Sequence, residues 1–488
     1  MKRRLVLLIG IGLLSACAKQ SAPEVKVPAA PAPLDQGFRS QVPNPAPALP
    51  VVRPVAESVQ LGNTFSVWVM PKDSGTLSLR VSCRIGARDN PQGKSGLAAL
   101  TARMLTEGTE QKSALELAVA SESLGATLHE GSDRNASSVE LEVLPGDEEA
   151  AVALLAEVVR HPSFLEKDLV RVRSEWLDDL ASQRDDPALL AWLVGYRALL
   201  GPRLGIPPNG TPSDVRDISS KDLRSFWAAN WTPERCALLA VGPTSANSLE
   251  GIASSYFGSW KPGKGESGRT PAPLAAPART TLYVFDRPDA VQTALFVAGT
   301  APPLHAPGHE AREVLNGLFG GLFTSRLNQN LRERNAYTYG AFSTFVGTRD
   351  WGLWAAATSV RTDVTVPALS ELLAEWQGLL RQGTIKEDEI ARSRSDLIYK
   401  TSAHLEHTSS LLEELEEIFV NELEADYFGK LPETLAHTGA AEIGKELQYV
   451  PTQGAVIAVV GDQSKMGDLT SFAEQRRSVG LQWLDGGD

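Results

Sequence analysis

His404 and His407, in His-Leu-Glu-His, stand three residues apart, a spacing that on a helix brings two imidazoles to one face where a third donor could complete a metal site. No Asp/Glu/His cluster at ligand spacing accompanies them, so an exposed polar helix face is the simpler reading. His305 and His309 are separated by Ala-Pro-Gly, which interrupts the helix that ligation at four-residue spacing requires. Gly93-Lys94-Ser95 looks like the end of a phosphate-binding loop, but GxxxxGK[ST] needs glycine at 88, and the chain has Arg88. Neither Cys83 nor Cys236 sits in a nucleophile context; both are expected in strands as small buried hydrophobes, since three cysteines make no disulfide framework. The acidic stretch Glu413, Glu414, Glu416, Glu417, Glu422 and Glu424 is interleaved with Leu412, Leu415, Ile418 and Phe419 at helical spacing, which predicts the solvated face of an amphipathic helix.

The segment Gly96-Leu-Ala-Ala-Leu-Thr-Ala-Arg-Met-Leu-Thr-Glu-Gly-Thr109 resembles the zinc-binding helix of the pitrilysin/insulinase-type metallopeptidases, which include the mitochondrial processing peptidase and typically read GxAHFLEHMLFKGT there. In that family the inverted motif HxxEH supplies two zinc-binding histidines and a glutamate base. Its three positions fall here on Ala99, Ala102 and Arg103. Alanine has no donor atom and cannot activate water, and Arg103 puts a permanent cation where a dication would sit. The resemblance places the family's third ligand, a downstream glutamate, at Glu175. A degenerate, metal-free site is therefore expected, with Arg103 salt-bridged to Glu175 in place of zinc.

Phe226-Trp-Ala-Ala-Asn-Trp-Thr-Pro-Glu-Arg is similar to the family's FxxxxYxPxN stretch. Gly320-Gly-Leu-Phe-Thr-Ser-Arg-Leu-Asn-Gln-Asn-Leu-Arg-Glu-Arg-Asn-Ala-Tyr-Thr-Tyr-Gly340 is similar to GGxxSSRLxxxLREKxGxxY. The resemblance makes Arg332 and Tyr339 the pair that family members use to bind the substrate main chain beside the scissile bond. A guanidinium and a phenol suit that role, since both donate hydrogen bonds to a peptide carbonyl and a cation favours a developing oxyanion.

The elements that must position these groups form a repeat. Asn230-Trp-Thr-Pro-Glu-Arg-Cys-Ala-Leu-Leu-Ala-Val-Gly242 is echoed by Gln448-Tyr-Val-Pro-Thr-Gln-Gly-Ala-Val-Ile-Ala-Val-Val-Gly461. Strand-like runs open each half, at 65–70 and 77–85 and again at 281–285 and 291–297, and amphipathic segments follow at 148–159 and 363–380. The fold class predicted is α+β: two homologous domains, each a mixed or antiparallel sheet covered by helices, arranged, as the resemblance implies, as half of a clamshell. The boundaries are 55–262 for the N-terminal domain, 263–278 for a Gly/Pro/Ser-rich linker and 279–488 for the C-terminal domain.

Ahead of the body, residues 1–16 have a basic start and a short apolar run, which predicts an export signal. Leu14-Ser15-Ala16-Cys17 resembles the bacterial lipobox, so Cys17 is the expected lipidation site, followed by a proline-rich tether over 17–54. The expected location is the bacterial cell envelope, lipid-anchored in the outer membrane and facing the periplasm. Lys and Arg number 47 against 59 Asp and Glu, a net charge of −12, without the basic footprint of a nucleic-acid partner. With the zinc half-site erased and the Arg/Tyr half-site retained, the chain is expected to bind no cofactor itself. It would serve as the non-catalytic subunit of an envelope metallopeptidase whose HxxEH-bearing partner carries zinc and cleaves peptides. The alternative is a lipid-anchored peptide-binding or scaffold protein without peptidase activity, since the cytochrome bc core proteins of this family are structural.

Overall fold

The computed structural model describes residues 52–263, 274–381, 383–451, 454–476 and 479–484. The export signal, Cys17, all but the last residues of the tether and most of the 263–278 linker lie outside the described residues. Among the described residues no helix is long and apolar enough to cross a membrane.

Cys236–Gly242 and Val456–Gly461 are buried at every position. Neighbouring side chains of a strand point to opposite faces, so such a run requires a sheet covered on both sides. Leu238 and Ala240 enter one core while Ala237, Leu239 and Val241 enter another, and Ile457 and Val459 part from Val456, Ala458 and Val460 in the same way.

The first sheet comprises β1 (Glu57–Gln60), β2 (Ser66–Pro71), β3 (Leu77–Cys83), β4 (His129–Ser132), β5 (Ser137–Val143) and β6 (Cys236–Gly242), in the order β1-β2-β6-β3-β5-β4. The second comprises β7 (Thr280–Asp286), β8 (Gln292–Ala301), β9 (Ala341–Gly347), β10 (Gly352–Arg361), β11 (Val456–Gly461) and β12 (Val479–Leu484), in the order β12-β7-β11-β8-β10-β9. In both, the echoed strand, β6 or β11, pairs in parallel on one side and antiparallel on the other. The two sheets thus share one five-strand topology, and differ at the outer edge, where β1 runs antiparallel and β12 parallel to its neighbour.

Each half lends the other a helix. Pro187–Leu204 is mostly apolar and packs the stripe of Ala191, Gly195, Leu199 and Leu200 towards β8 and β11 of the second sheet. Thr408–Asn421 in turn packs on β2, β3 and β6 of the first. This exchange corrects the reading of the 413–417 acidic run as a solvated face. Glu414 is buried against Arg53 and receives a 2.8 Å contact from His404 Nδ1, while Glu416 pairs with the largely buried Arg80 of β3 at 2.5 Å. The cysteines are corrected too. Cys83 and Cys236 are buried strand residues, but they face each other across β3 and β6 and form a disulfide.

The close seating of the exchanged helix depends on Gly195. A Cβ there would come within 2.2 Å of the buried ring of Phe296, which Trp192 covers edge-on at 4.6 Å. Helix propensity favours alanine over glycine by up to about 1 kcal/mol. The clash outweighs it, so Gly195→Val is expected to destabilise by about 1–3 kcal/mol and Gly195→Ala to give no gain, read as the shift in denaturant midpoint.

Candidate functional site

The segment expected to correspond to a zinc-binding helix does form a helix, Leu97–Leu105. Ala99 and Ala102, the positions expected of a ligand and a base, are 4% and 1% exposed. Gly96, which precedes the helix, has φ 86°, and a Cβ there would meet the Asn209 carbonyl at 2.7 Å, so this entry to the helix requires glycine.

Arg103 does not pair with Glu175 as expected. Its guanidinium reaches Glu130 of β4 at 2.9 Å and Glu107, four residues on in the turn that follows the helix, at 3.4 Å. Glu107 is also held by Arg171, which binds Glu175 at 3.0 Å. The charges around this helix thus form an alternating chain, Glu130, Arg103, Glu107, Arg171, Glu175. Arg103 and Glu175 lie in one network but are two partners apart, because each has a carboxylate or guanidinium four residues away that needs no interhelical reach. Glu107 was legible as that i,i+4 partner; Glu130, which depends on where β4 lands, was not. The residues present do not fit a zinc ion: two of the three motif positions carry no donor and the third is a cation. Among the described residues no group of three or more His, Cys, Asp or Glu side chains could hold a metal.

The other singled-out groups have structural roles. His404 opens a 3-10 turn, His404–Glu406, and His407 precedes the next helix, so the two do not share a helical face. His309 begins a helix behind Gly308, and burial lowers its pKa to about 4, with Arg312 adding to the effect. Lys94 is tied to Asp222 at 3.0 Å and Ser95 Oγ donates to Asp214 at 2.6 Å, which leaves no phosphate cradle at Gly93-Lys94-Ser95.

Arg332 lies on a π-helical stretch, Asn328–Arg334, that ends in a tight reversal. The Ala336 and Tyr337 amides return to the carbonyls of Arg332 and Leu331, with Ala336 at φ 52°. Such wide turns recur where a helix must present a side chain for function. The Arg332 guanidinium stacks on the Phe323 ring at 4.0 Å, with Nε 3.5 Å from Glu333, and its side chain is 32% exposed.

Tyr339 leads into β9 and is 91% exposed. Its backbone is nevertheless fixed. Thr338 Oγ1 accepts from the Gly340 amide at 3.1 Å and donates to the Ser359 carbonyl at 2.7 Å, and Thr358 Oγ1 donates to Thr338 Oγ1 at 2.9 Å. The Asn328 side chain accepts from the Ala341 amide at 2.9 Å, joining the Arg332 turn to the first residue of β9. β9 is the edge of its sheet, so its outer backbone groups are open to an added strand. The arrangement can bind an extended peptide backbone and stabilise negative charge on a carbonyl oxygen.

Residues 69–192 match the family described as Insulinase (Peptidase family M16), and residues 217–397 match the Peptidase M16 inactive domain, together more than half of the chain. An uncharacterized zinc protease of Mycobacterium leprae is 27% identical over 378 residues, spanning 71% of this chain and 83% of that protein. The solved structure of a peptidase M16 inactive domain from Pseudomonas fluorescens superposes with a TM-score of 0.78 at 21% identity, covering 84% of this chain and 98% of that one. A protease from Helicobacter pylori gives the same TM-score at 17% identity, covering 83% and 99%.

Proposed function

The chain belongs to the insulinase (M16) peptidase family, and from that premise we propose that it is a non-catalytic subunit which binds peptide through Arg332 and Tyr339 for cleavage by an HxxEH-bearing partner. The observation that carries this reading is the contrast between the two half-sites. Ala99 and Arg103 leave the HxxEH positions without a zinc ligand and Ala102 leaves them without a base, while Tyr339 stands 91% exposed on a turn that three hydroxyl hydrogen bonds hold. An exposed aromatic on a braced turn has no packing role to explain its placement.

The partner supplies zinc; this chain supplies donors to the substrate carbonyl and an edge strand against which the peptide lies extended. We place the assembly in the bacterial envelope, held to the outer membrane through lipid on Cys17 and facing the periplasm. The Cys83–Cys236 disulfide supports an oxidising compartment.

The test is reconstitution. Mixing the chain with a homologue that retains HxxEH should give cleavage of an unstructured peptide that neither protein achieves alone. If the homologue's activity is unchanged on addition, the subunit reading fails, and peptide binding without cleavage by any combination would favour the scaffold alternative. Metal analysis provides a separate check. The purified chain should carry well under one equivalent of zinc, and chelator should leave its melting temperature unmoved; one tightly bound equivalent would contradict the reading of Ala99 and Arg103.

A further inference from the structure

Beside Tyr339 lies a cavity of about 270 Å³ between the exchanged helix and the second sheet. Ala294, Leu295 and Ala357 belong to its lining, and Trp192 of the helix and Phe342 of β9 stack at 6.0 Å with planes 11° apart. Thr338, Tyr339, Gly340 and Ser359 also line it, as do Ala188, Gln292 and Thr358. No lining residue is an Asp, Glu, Lys, Arg or His. The Thr338 hydroxyl is already committed to the Ser359 carbonyl and the Thr358 hydroxyl to Thr338 Oγ1. Phe342 is 48% exposed, so the cavity opens along the same strand edge that Tyr339 introduces.

We propose that this cavity is a side-chain subsite that selects an uncharged apolar residue, phenylalanine or leucine, of a peptide laid along β9. The inference rests on the reading of Arg332 and Tyr339 as peptide-binding groups and adds the substrate class. A peptide paired to β9 projects alternate side chains to the face that Phe342 occupies, and the one next to Tyr339 enters an aromatic-walled space. A charged side chain there would lose its hydration and meet no counter-charge. A Phe or Leu side chain would remove apolar surface from water on both partners.

The experiment uses the full chain and a fluorescein-labelled unstructured decapeptide, varied one position at a time to Phe, Leu, Ala, Glu or Lys, with binding followed by fluorescence anisotropy. One position should bind Phe and Leu about tenfold or more tightly than Glu and Lys. Ala188→Phe, which narrows the cavity from the helix side, should erase that preference while leaving binding of the Ala peptide intact. In case the variant folds poorly, a benzoylphenylalanine peptide photo-crosslinked to the unmodified chain should label Trp192, Phe342 or their immediate neighbours. Equal affinities at every position, or label far from this cavity, would overturn the subsite while leaving the peptide-binding reading standing. Failure of every peptide to bind would overturn both.

Discussion

Arg332→Ala is expected to lower peptide cleavage by the reconstituted pair about 10²-fold, the usual consequence of removing one donor that meets the oxyanion of acyl transfer. The effect should fall on kcat, because a guanidinium aimed at developing charge contributes more to the transition state than to the bound peptide. The structure makes the variant interpretable. Arg332 touches Phe323 and Glu333 at the surface and anchors no core residue, so the melting temperature should barely move. Arg332→Lys keeps the charge but loses the planar fork and should recover only part of the activity. Tyr339→Phe removes a single hydroxyl from a side chain whose backbone is held by its neighbours, and a loss nearer tenfold is expected. Activity unchanged in all three variants would sink the shared-site assignment.

The second large effect is on stability. Glu313 and Glu417, partly buried residues on the helices His309–Asn316 and Thr408–Asn421, have their carboxyl pKa values raised to about 7. Burial is the main cause in both. Glu417 and Glu310 add to it at Glu313 against the opposing Arg312 and Lys400, and Glu414 adds to it at Glu417 against His404. A carboxyl whose folded pKa is raised holds its proton longer than the unfolded chain does. Between about pH 4.5 and 7 the folded state therefore binds more protons, and the contribution of these groups to stability falls as pH rises through that window.

Replacing Glu417 with the neutral Gln should raise stability at pH 8 by roughly 2–3 kcal/mol and change it little at pH 4.5. The reading is the difference between the variant and parent denaturation curves across pH. His309, depressed to about 4, works in the other direction: its contribution is lost as pH falls from 6.5 towards 4. It is common to both proteins and cancels in the difference. Parallel curves for parent and Glu417→Gln would show that this carboxyl ionises normally in the fold.

The expected Arg103–Glu175 bridge and the solvated acidic helix failed for the same reason. Each inference fixed a helix by its periodicity and then assumed what lay opposite. Periodicity tells which side of a helix is apolar and leaves open which sheet that side covers. Glu414 and Glu416 looked like surface charges because the sequence does not say that Arg53 and Arg80 come to meet them. Pro187–Leu204 belongs to the first half by position and to the second sheet by packing, and nothing in its composition names β8 and β11 as its seat.

The amino-acid sequence by itself determined what depends on residue chemistry and short-range pattern. Two apolar strands ending in glycine, at 236–242 and 456–461, marked the repeat, and both became the central strand of a sheet in which alternate side chains are buried on opposite faces. The lack of a zinc ligand at Ala99 and of a base at Ala102 follows from the methyl side chain of alanine, which carries no lone pair whatever the fold. Only the tertiary structure decided the pairing of Cys83 with Cys236, 153 residues apart, the exchange of helices, the contact of Arg103 with Glu130 and the apolar cavity beside Tyr339. Each of these joins residues distant along the chain, and an apolar face packs almost equally well against many surfaces until the whole set of contacts selects one.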